Sequence, residues 1–325
     1  MKKIFKYLSL GILPLIIAGL AGCANPKELI FEYKAPKDSL IKYEMITSSK
    51  QDINQNGKSQ KMSTEMSMNF SEKVTDITES GEKLVTYTFS NVQLTAERDG
   101  KKETQPMEQM NGKTSTVKMT KAGKIIERDG TEVEENNSKD NFTPVFPEGL
   151  KKVGESWDVN IENEAPMGPA IKMVSSIKSN YNFVGYEKLN NVDYARVNEK
   201  ITINQNLVKE GDMSKMPVDF NKSVTASGEG YFLYDYKKGI IVKSDRKMKI
   251  KSDMSAEQKQ VEKGKKPQKE TTSVTEELAI SLNLVSDNPA EVEKTEGSAS
   301  VPEKAPAEEA PAAEKAPAPA EKDSK

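Results

Sequence analysis

The residue types that carry most enzyme chemistry are nearly missing from this chain of 325 residues. It contains no histidine and a single cysteine, Cys23. Ser-His-Asp and Cys-His arrangements therefore cannot be built, and neither can a disulfide or a zinc site made of histidine and cysteine. Carboxylates, lysines, tyrosines and hydroxyls remain as potential catalytic groups. The sequence thus predicts no metal ion and no cofactor, and the one thiol becomes its most distinctive chemical group.

Cys23 ends a segment with the layout of a bacterial export signal. Three lysines lie within the first six residues, and an apolar run over residues 7–20 follows, too short to span a bilayer. The run ends in Leu20-Ala21-Gly22-Cys23, with a leucine and two small residues before the cysteine. This arrangement resembles the lipobox of bacterial lipoprotein precursors.

The resemblance implies that signal peptidase II recognises Leu20, Ala21 and Gly22, removes residues 1–22 and leaves an acylated Cys23 as the new N-terminus. Because about two acyl chains give stable anchoring, membrane lipid is the expected partner of Cys23. We therefore expect a protein on the exported side of the cell membrane or the outer membrane. Ala24 in the next position is compatible with the outer membrane of a Gram-negative cell. The alternative is an ordinary secretory signal that ends near a cysteine by chance.

The remaining chain divides by composition. We expect a lipidated N-terminus and tether over residues 23–39, a first β half over 40–130 and an acidic, Asn-rich linker over 131–147. A second β half over 148–286 follows, and residues 287–325, rich in Ala, Pro, Glu and Lys, are expected to form a disordered tail. The formal net charge of −2 implies no strongly basic face, so nucleic acid is not an expected partner.

Period-two alternation is the main structural signal in both halves. Between residues 62 and 70, methionines and Phe70 alternate with polar residues, as expected for a strand with one buried side. Ile177, Tyr181 and Phe183 share one parity in the second half, and similar hairpin signals recur about 110 residues apart, which suggests an internal duplication. We predict a mainly β protein of antiparallel curved sheets in two similar halves. These form either a half-open barrel or packed sheets, with little helix.

A corner at Val153-Gly154-Glu155-Ser156-Trp157 opens the second half and contains the only tryptophan. Trp157 is interpreted as a core plug or as a platform on which a ligand stacks. Together with the runs 228–232 and 235–240, the corner resembles an uncharacterised family of bacterial β-rich lipoproteins with a V-G-x-S-W motif, distantly like half-open-barrel lipoprotein carriers. The resemblance covers residues 40 to 285 and implies fold and location, but no activity.

Two hypotheses from different classes follow. The first is a non-enzymatic, membrane-anchored binding or envelope-scaffolding module, whose further partner is a hydrophobic ligand or an envelope protein. The second is a carboxylate-dependent hydrolase of envelope polymers, for which Glu199 is a candidate because it shares the parity of apolar neighbours; otherwise Glu199 reaches solvent from an edge or bulge.

Methionine sulfurs could bind copper(I), but packing is the preferred interpretation, and no metal site is predicted. The candidate ligand-facing residues are Met66, Met68, Phe70, Trp157, Tyr181 and Phe183, whose apolar faces either line a cavity or pack against each other.

Overall fold

A computed structural model describes residues 25–98, 100–132, 143–168, 171–209, 218–258 and 269–287. Almost all of them lie in antiparallel strands of one curved, open sheet. The described part contains one short 3-10 turn, Glu108–Met110, and no helix of the length and hydrophobicity needed to cross a membrane. The predicted fold class is confirmed. Cys23, its preceding motif and the tail beyond residue 287 lie outside the described residues.

The described chain forms fifteen strands, many of them unusually long. Their bounds are β1 Glu28–Ile30, β2 Leu40–Gln55, β3 Lys58–Ile77, β4 Lys83–Arg98, β5 Lys101–Pro106, β6 Thr114–Met119, β7 Ile125–Arg128, β8 Thr131–Glu132, β9 Leu150–Lys152, β10 Ser156–Gly168, β11 Ile171–Leu189, β12 Val192–Lys209, β13 Val218–Asp235, β14 Ile240–Gln258 and β15 Lys269–Ser286.

Both halves belong to the same sheet. Thirteen described strands follow the order β10-β11-β12-β13-β14-β15-β2-β3-β4-β6-β7-β8, with β5 paired to β4, while β1 and β9 form a separate two-stranded sheet. The join is the pair β15–β2, in which Leu282 lies opposite Met45. Of the two predicted architectures, a continuous curved sheet is observed rather than two packed sheets.

Turn chemistry explains the consecutive hairpins. Asn56 and Gly57 connect β2 to β3, and Asn190 and Asn191 connect β11 to β12, with positive φ at all four residues. Paired positive φ angles are those of the type I′ turn, whose twist matches the twist of the flanking strands. Asn and Gly tolerate this conformation better than other residues.

The N-terminal segment packs into the core instead of forming the expected tether. Leu29 and Phe31 are buried, and the Phe31 ring is 1% exposed. The Tyr33 amide donates a hydrogen bond to the carbonyl of Lys121 at 2.8 Å, which fixes the segment on the first half. The expected tether over 23–39 is therefore corrected: from residue 28 onward the chain belongs to the folded domain.

The ends of the predicted linker are also structured. Thr131 and Glu132 form β8, and Phe146 is 3% exposed in the core. Residues 133–142 between them lie outside the described residues. The predicted linker over 131–147 thus includes a core residue that composition alone did not reveal.

Five aromatic rings on the inner face of the sheet form what we call the aromatic plug. The Phe31 ring lies 5.2–5.7 Å from each of the four others, between ring centroids. Aromatic pairs at this separation stabilise beyond their buried area. The aromatic plug consists of Phe31, Phe146, Trp157, Phe183 and Tyr234.

Candidate functional site

A cavity of about 320 Å³ opens on the inner face of the first half, and we call it the methionine cavity. Strands β2, β3 and β4 form much of its wall, and residues from β6, β7, β14, β15 and the N-terminal segment complete it. Its apolar lining includes Met45, Met66, Met68, Phe70, Val74, Phe89, Ile280 and Leu282.

Met66, Met68 and Phe70 occupy alternate positions of β3 whose side chains face inward, so they lie on this wall. Met68 is 4% exposed and packs with Met45 and Val92, whereas Met66 and Phe70 are only half-buried. Methionine side chains are flexible and polarisable, so they adapt to ligands of different shape. The wall is therefore apolar and deformable.

Glu72 is two residues beyond Phe70 in β3, so its side chain lies on the same face of the strand. It puts a carboxyl group on this apolar wall. It lies opposite Tyr87 on β4 and opposite Ile41 on β2. Its side chain is half-buried and lines the cavity. Removal from water raises the pKa of Glu72 to about 7, since burial disfavours the charged form. Within the described residues, no hydrogen bond or ion pair involves the Glu72 carboxyl.

Three tyrosines line the cavity together with Glu72. Burial, followed by the negative charge of Glu72, raises the pKa of Tyr33 and of Tyr43 well above its ordinary value. The Tyr43 ring stacks on Phe70 with 5.1 Å between centroids. Together with Tyr87, these residues form a cluster of phenols on the same wall as the one carboxyl group.

A buried lysine also lines the cavity. Lys83 is 4% exposed, and its ammonium donates a hydrogen bond to the carbonyl oxygen of Ala35. Burial lowers the pKa of Lys83 to about 8, although the charge of Glu32 opposes that shift. The Lys83 ammonium is therefore held by the N-terminal segment.

Between the aromatic plug and the methionine cavity lies a buried ion pair. Arg246 donates from Nε to Glu199 Oε2 at 2.8 Å and from a terminal nitrogen to Oε1 at 3.0 Å. Glu199 is 4% exposed, which corrects the interpretation that it reaches solvent. Arg246 lines the cavity, while the Glu199 charge raises the pKa of Tyr181 on the plug side, after burial as the larger cause.

A glycine on the strand between them makes this ion pair possible. Gly230 of β13 lies opposite both Glu199 of β12 and Arg246 of β14. A Cβ at Gly230 would lie 2.4 Å from the carbonyl oxygen of Asp245, so no larger residue fits without displacing backbone. Because Gly230 has no side chain, the side chains of Glu199 and Arg246 can approach each other over it.

The six candidate ligand-facing residues separate into two groups. Met66, Met68 and Phe70 line the methionine cavity. The remaining three lie in the packed core of the second half, where Trp157 stacks on Tyr181 at 5.2 Å and its indole nitrogen donates to the Val145 carbonyl at 3.2 Å. Phe183 is fully buried there.

Sequence reasoning missed Glu72 and Lys83. The signal for Glu72 was present, since it continues the alternation of Met66, Met68 and Phe70 by one further step. Lys83 has no comparable signal, because a lysine at the start of a strand normally faces solvent. No group of three or more His, Cys, Asp or Glu side chains suited to a metal ion occurs among the described residues.

Comparison with known proteins gives only distant structural likeness. No protein-family model and no curated protein matches the chain. Similar solved structures include OccK2 (OpdF) of Pseudomonas aeruginosa, with 5% identity, 78% of this chain and 100% of that chain covered, and a TM-score of 0.19. OpdQ of the same organism has 10% identity, 78% and 99% coverage, and a TM-score of 0.21. A Bacteroides fragilis protein with a YmcC-like fold has 13% identity, 75% and 97% coverage, and a TM-score of 0.21. Likenesses this weak carry no argument about function.

Proposed function

We propose that this protein is a lipid-anchored protein of the bacterial envelope that binds a hydrophobic molecule in the methionine cavity and catalyses no reaction. The observation that carries the proposal is the cavity itself, because an apolar, half-enclosed space on a sheet face would otherwise be filled by side chains. Ligand sites commonly have volumes of about 300–1,000 Å³ and mainly apolar walls. At about 320 Å³, the cavity is at the small end of that range.

The anchor and the cavity fit one location. Leu29 is the first core residue after Cys23. Six residues span at most about 20 Å. An acylated Cys23 would therefore hold the folded domain near the lipid surface, within short reach of hydrophobic molecules.

The hydrolase hypothesis gains no specific observation. A carboxylate mechanism of that kind uses two acidic groups on opposite sides of the substrate. Glu199 is bound to Arg246, and Glu72 is the one carboxylate among the described residues that line the cavity. We therefore do not advance it as a second candidate.

Binding is tested on the chain from residue 23 onward with Cys23→Ala, exported behind a cleavable secretory signal peptide, which retains every described residue. The unanchored protein is purified from the soluble exported fraction of a producing cell and analysed by native mass spectrometry and lipid extraction. A bound hydrophobic molecule is expected, and Met66→Trp should reduce its occupancy by filling the cavity. Val192→Trp, at an exposed site in the second half, is the control. No retained lipid, together with no binding of a fluorescent fatty acid or alkylamine, would overturn the proposal.

The anchor needs its own test. Mass spectrometry of the N-terminal peptide from full-length protein made in bacteria is expected to show an acylated Cys23, and Cys23→Ala should move the protein from the membrane to the soluble fraction. A wild-type N-terminus without acyl mass would overturn the anchoring part of the proposal and leave cavity binding unaffected.

A further inference from the structure

Glu72 is the only acidic residue among the described residues that line the cavity, and none of the described residues pairs with its carboxyl group. A carboxylate on an apolar surface is destabilising unless something compensates its lost hydration. Its neighbours across the strands, Ile41 and Tyr87, provide no positive charge. The described residues therefore leave this compensation to water or to an occupant of the cavity.

The aromatic surroundings of Glu72 favour a cation as that occupant. Tyr33, Tyr43 and Tyr87 line the same cavity, and the pKa values of Tyr33 and Tyr43 are raised, so these phenols stay neutral near neutral pH. Ring faces attract cations through their quadrupole, and the attraction is stronger when the cation is desolvated. A carboxylate beside several rings is thus suited to an ammonium group.

The positive groups of the wall are already engaged with the protein. Lys83 donates to the Ala35 carbonyl, Arg246 is held by Glu199, and Arg128 of β7 has an interaction of its own. An anionic headgroup would have to displace one of these partners. An ammonium group would only have to meet Glu72.

We propose that the methionine cavity selects a hydrophobic molecule bearing a single amine, with its apolar chain against the methionines and its ammonium group on Glu72. This inference rests on the proposed function and specifies the class of ligand. A charge-assisted contact with Glu72 should strengthen binding by about tenfold or more relative to a neutral molecule of equal chain length.

Three probes with the same chain test it: dodecylamine, dodecanol and dodecanoate. Their affinities for the Cys23→Ala chain are measured by calorimetry at about pH 8.5 and at about pH 5.5, either side of the titration of Glu72. Dodecylamine should bind most tightly at the higher pH. Its advantage over dodecanol should disappear at the lower pH, where Glu72 is protonated while the amine stays cationic.

Lys83 faces the same cavity and loses its proton above about pH 8, so a variant must isolate the contribution of Glu72. Glu72→Gln keeps the shape and should abolish the preference for dodecylamine at about pH 8.5, so that dodecylamine and dodecanol bind alike at both pH values. Glu65→Gln, on the exposed face of the same strand, is the matched control and should leave the preference unchanged.

The outcomes distinguish this inference from the proposed function. If all three probes bind with equal affinity, if dodecanoate binds best, or if Glu72→Gln keeps the preference, the amine selection is overturned and the hydrophobic site stands. If none of the probes binds, the proposed function is overturned together with the amine selection. Because the comparison of probes and its pH dependence use Glu72 unchanged, the test holds even if Glu72→Gln fails to fold.

Discussion

The aromatic plug and the methionine cavity lie on the same sheet face, yet one is filled and the other is open. Over the second half, the N-terminal segment and residues 143–147 supply Phe31 and Phe146, which interlock with rings from the strands. Over the first half, the same segment adds Tyr33 and Ala35 to the wall and leaves a cavity. Whether an inward face becomes core or binding surface therefore depends on what the rest of the chain places over it.

The side chains differ accordingly. Rings in the plug have few rotamers and fit one arrangement, as densely packed interiors require. Methionines around the cavity can repack, so their wall can remain apolar without being filled. The plug defines one structure, whereas the cavity tolerates change. The following experiments test that contrast.

The largest effect is expected from truncating the plug. Phe31→Ala removes a ring that contacts four others, and it should lower the free energy of unfolding by about 3–5 kcal/mol. Phe70→Ala makes the same chemical change on the half-buried cavity wall and should cost clearly less. Urea denaturation of both variants measures the difference, and equal losses would show that the cavity wall is as tightly packed as the plug.

Breaking the ion pair between the two regions should have the next largest effect. Glu199→Gln leaves Arg246 charged and buried, which should lower the free energy of unfolding by about 3 kcal/mol. The double substitution Glu199→Leu with Arg246→Met should recover much of this loss because it removes both buried charges together. Thermal and urea unfolding test both variants. A double variant no more stable than Glu199→Gln would contradict this explanation.

The cavity carboxyl should make stability depend on pH. The pKa of Glu72 is raised from 4.5 to about 7 in the folded state, so the folded protein binds more protons between these values than the unfolded chain. Stability should therefore fall as the pH rises through this window. Allowing for the partial exposure of Glu72, the fall amounts to about 1–2 kcal/mol.

Urea denaturation of wild type and Glu72→Gln at several pH values isolates this contribution. The difference in unfolding free energy between the two proteins should increase in favour of Glu72→Gln as the pH rises from 4.5 to 7. A difference that stays constant over the window would show that Glu72 keeps its ordinary pKa and is well hydrated.

The smallest change in stability is expected when a residue of the cavity wall is enlarged, and the same kind of substitution beside the plug gives the most direct comparison of the two regions. Met66→Phe adds a ring where the cavity has space, so the free energy of unfolding should change by less than about 1 kcal/mol. Val197→Phe, at a fully buried site beside the plug, should lower it by about 1–3 kcal/mol. Melting temperatures give the comparison, and a large loss from Met66→Phe would mean that the cavity has no usable space.

Local patterns predicted the strands, but their long-range pairing could not be read from the sequence. Alternation through Met66, Met68 and Phe70 identified the inward face of β3. The pairing of β15 with β2 depends on the whole chain and leaves no local signal. The pairing of β15 with β2 is what makes the fold one continuous sheet and not two packed sheets.

For the site, the alternation of side chains along each strand identified which residues face inward, but not which parts of the protein they contact. Met66 and Phe183 are equivalent by pattern, yet one lines the cavity and the other lies in the plug. The difference arises from Phe31 and Phe146, which came from segments expected to be tether and linker. Alternation could have revealed Glu72, whereas the partner of Glu199 depends on Gly230 and on pairing across β13.

The join between β15 and β2 also has a consequence for how the chain reaches its fold. Met45 and Leu282 are roughly 240 positions apart, so this pairing raises the contact order and slows folding. As the chain folds, β2 can pair with the adjacent β3 at once, but its other edge stays unpaired until β15 is in place. An open edge of this length invites pairing with other chains. The interval before β15 pairs with β2 is therefore the stage of folding at which aggregation competes most strongly.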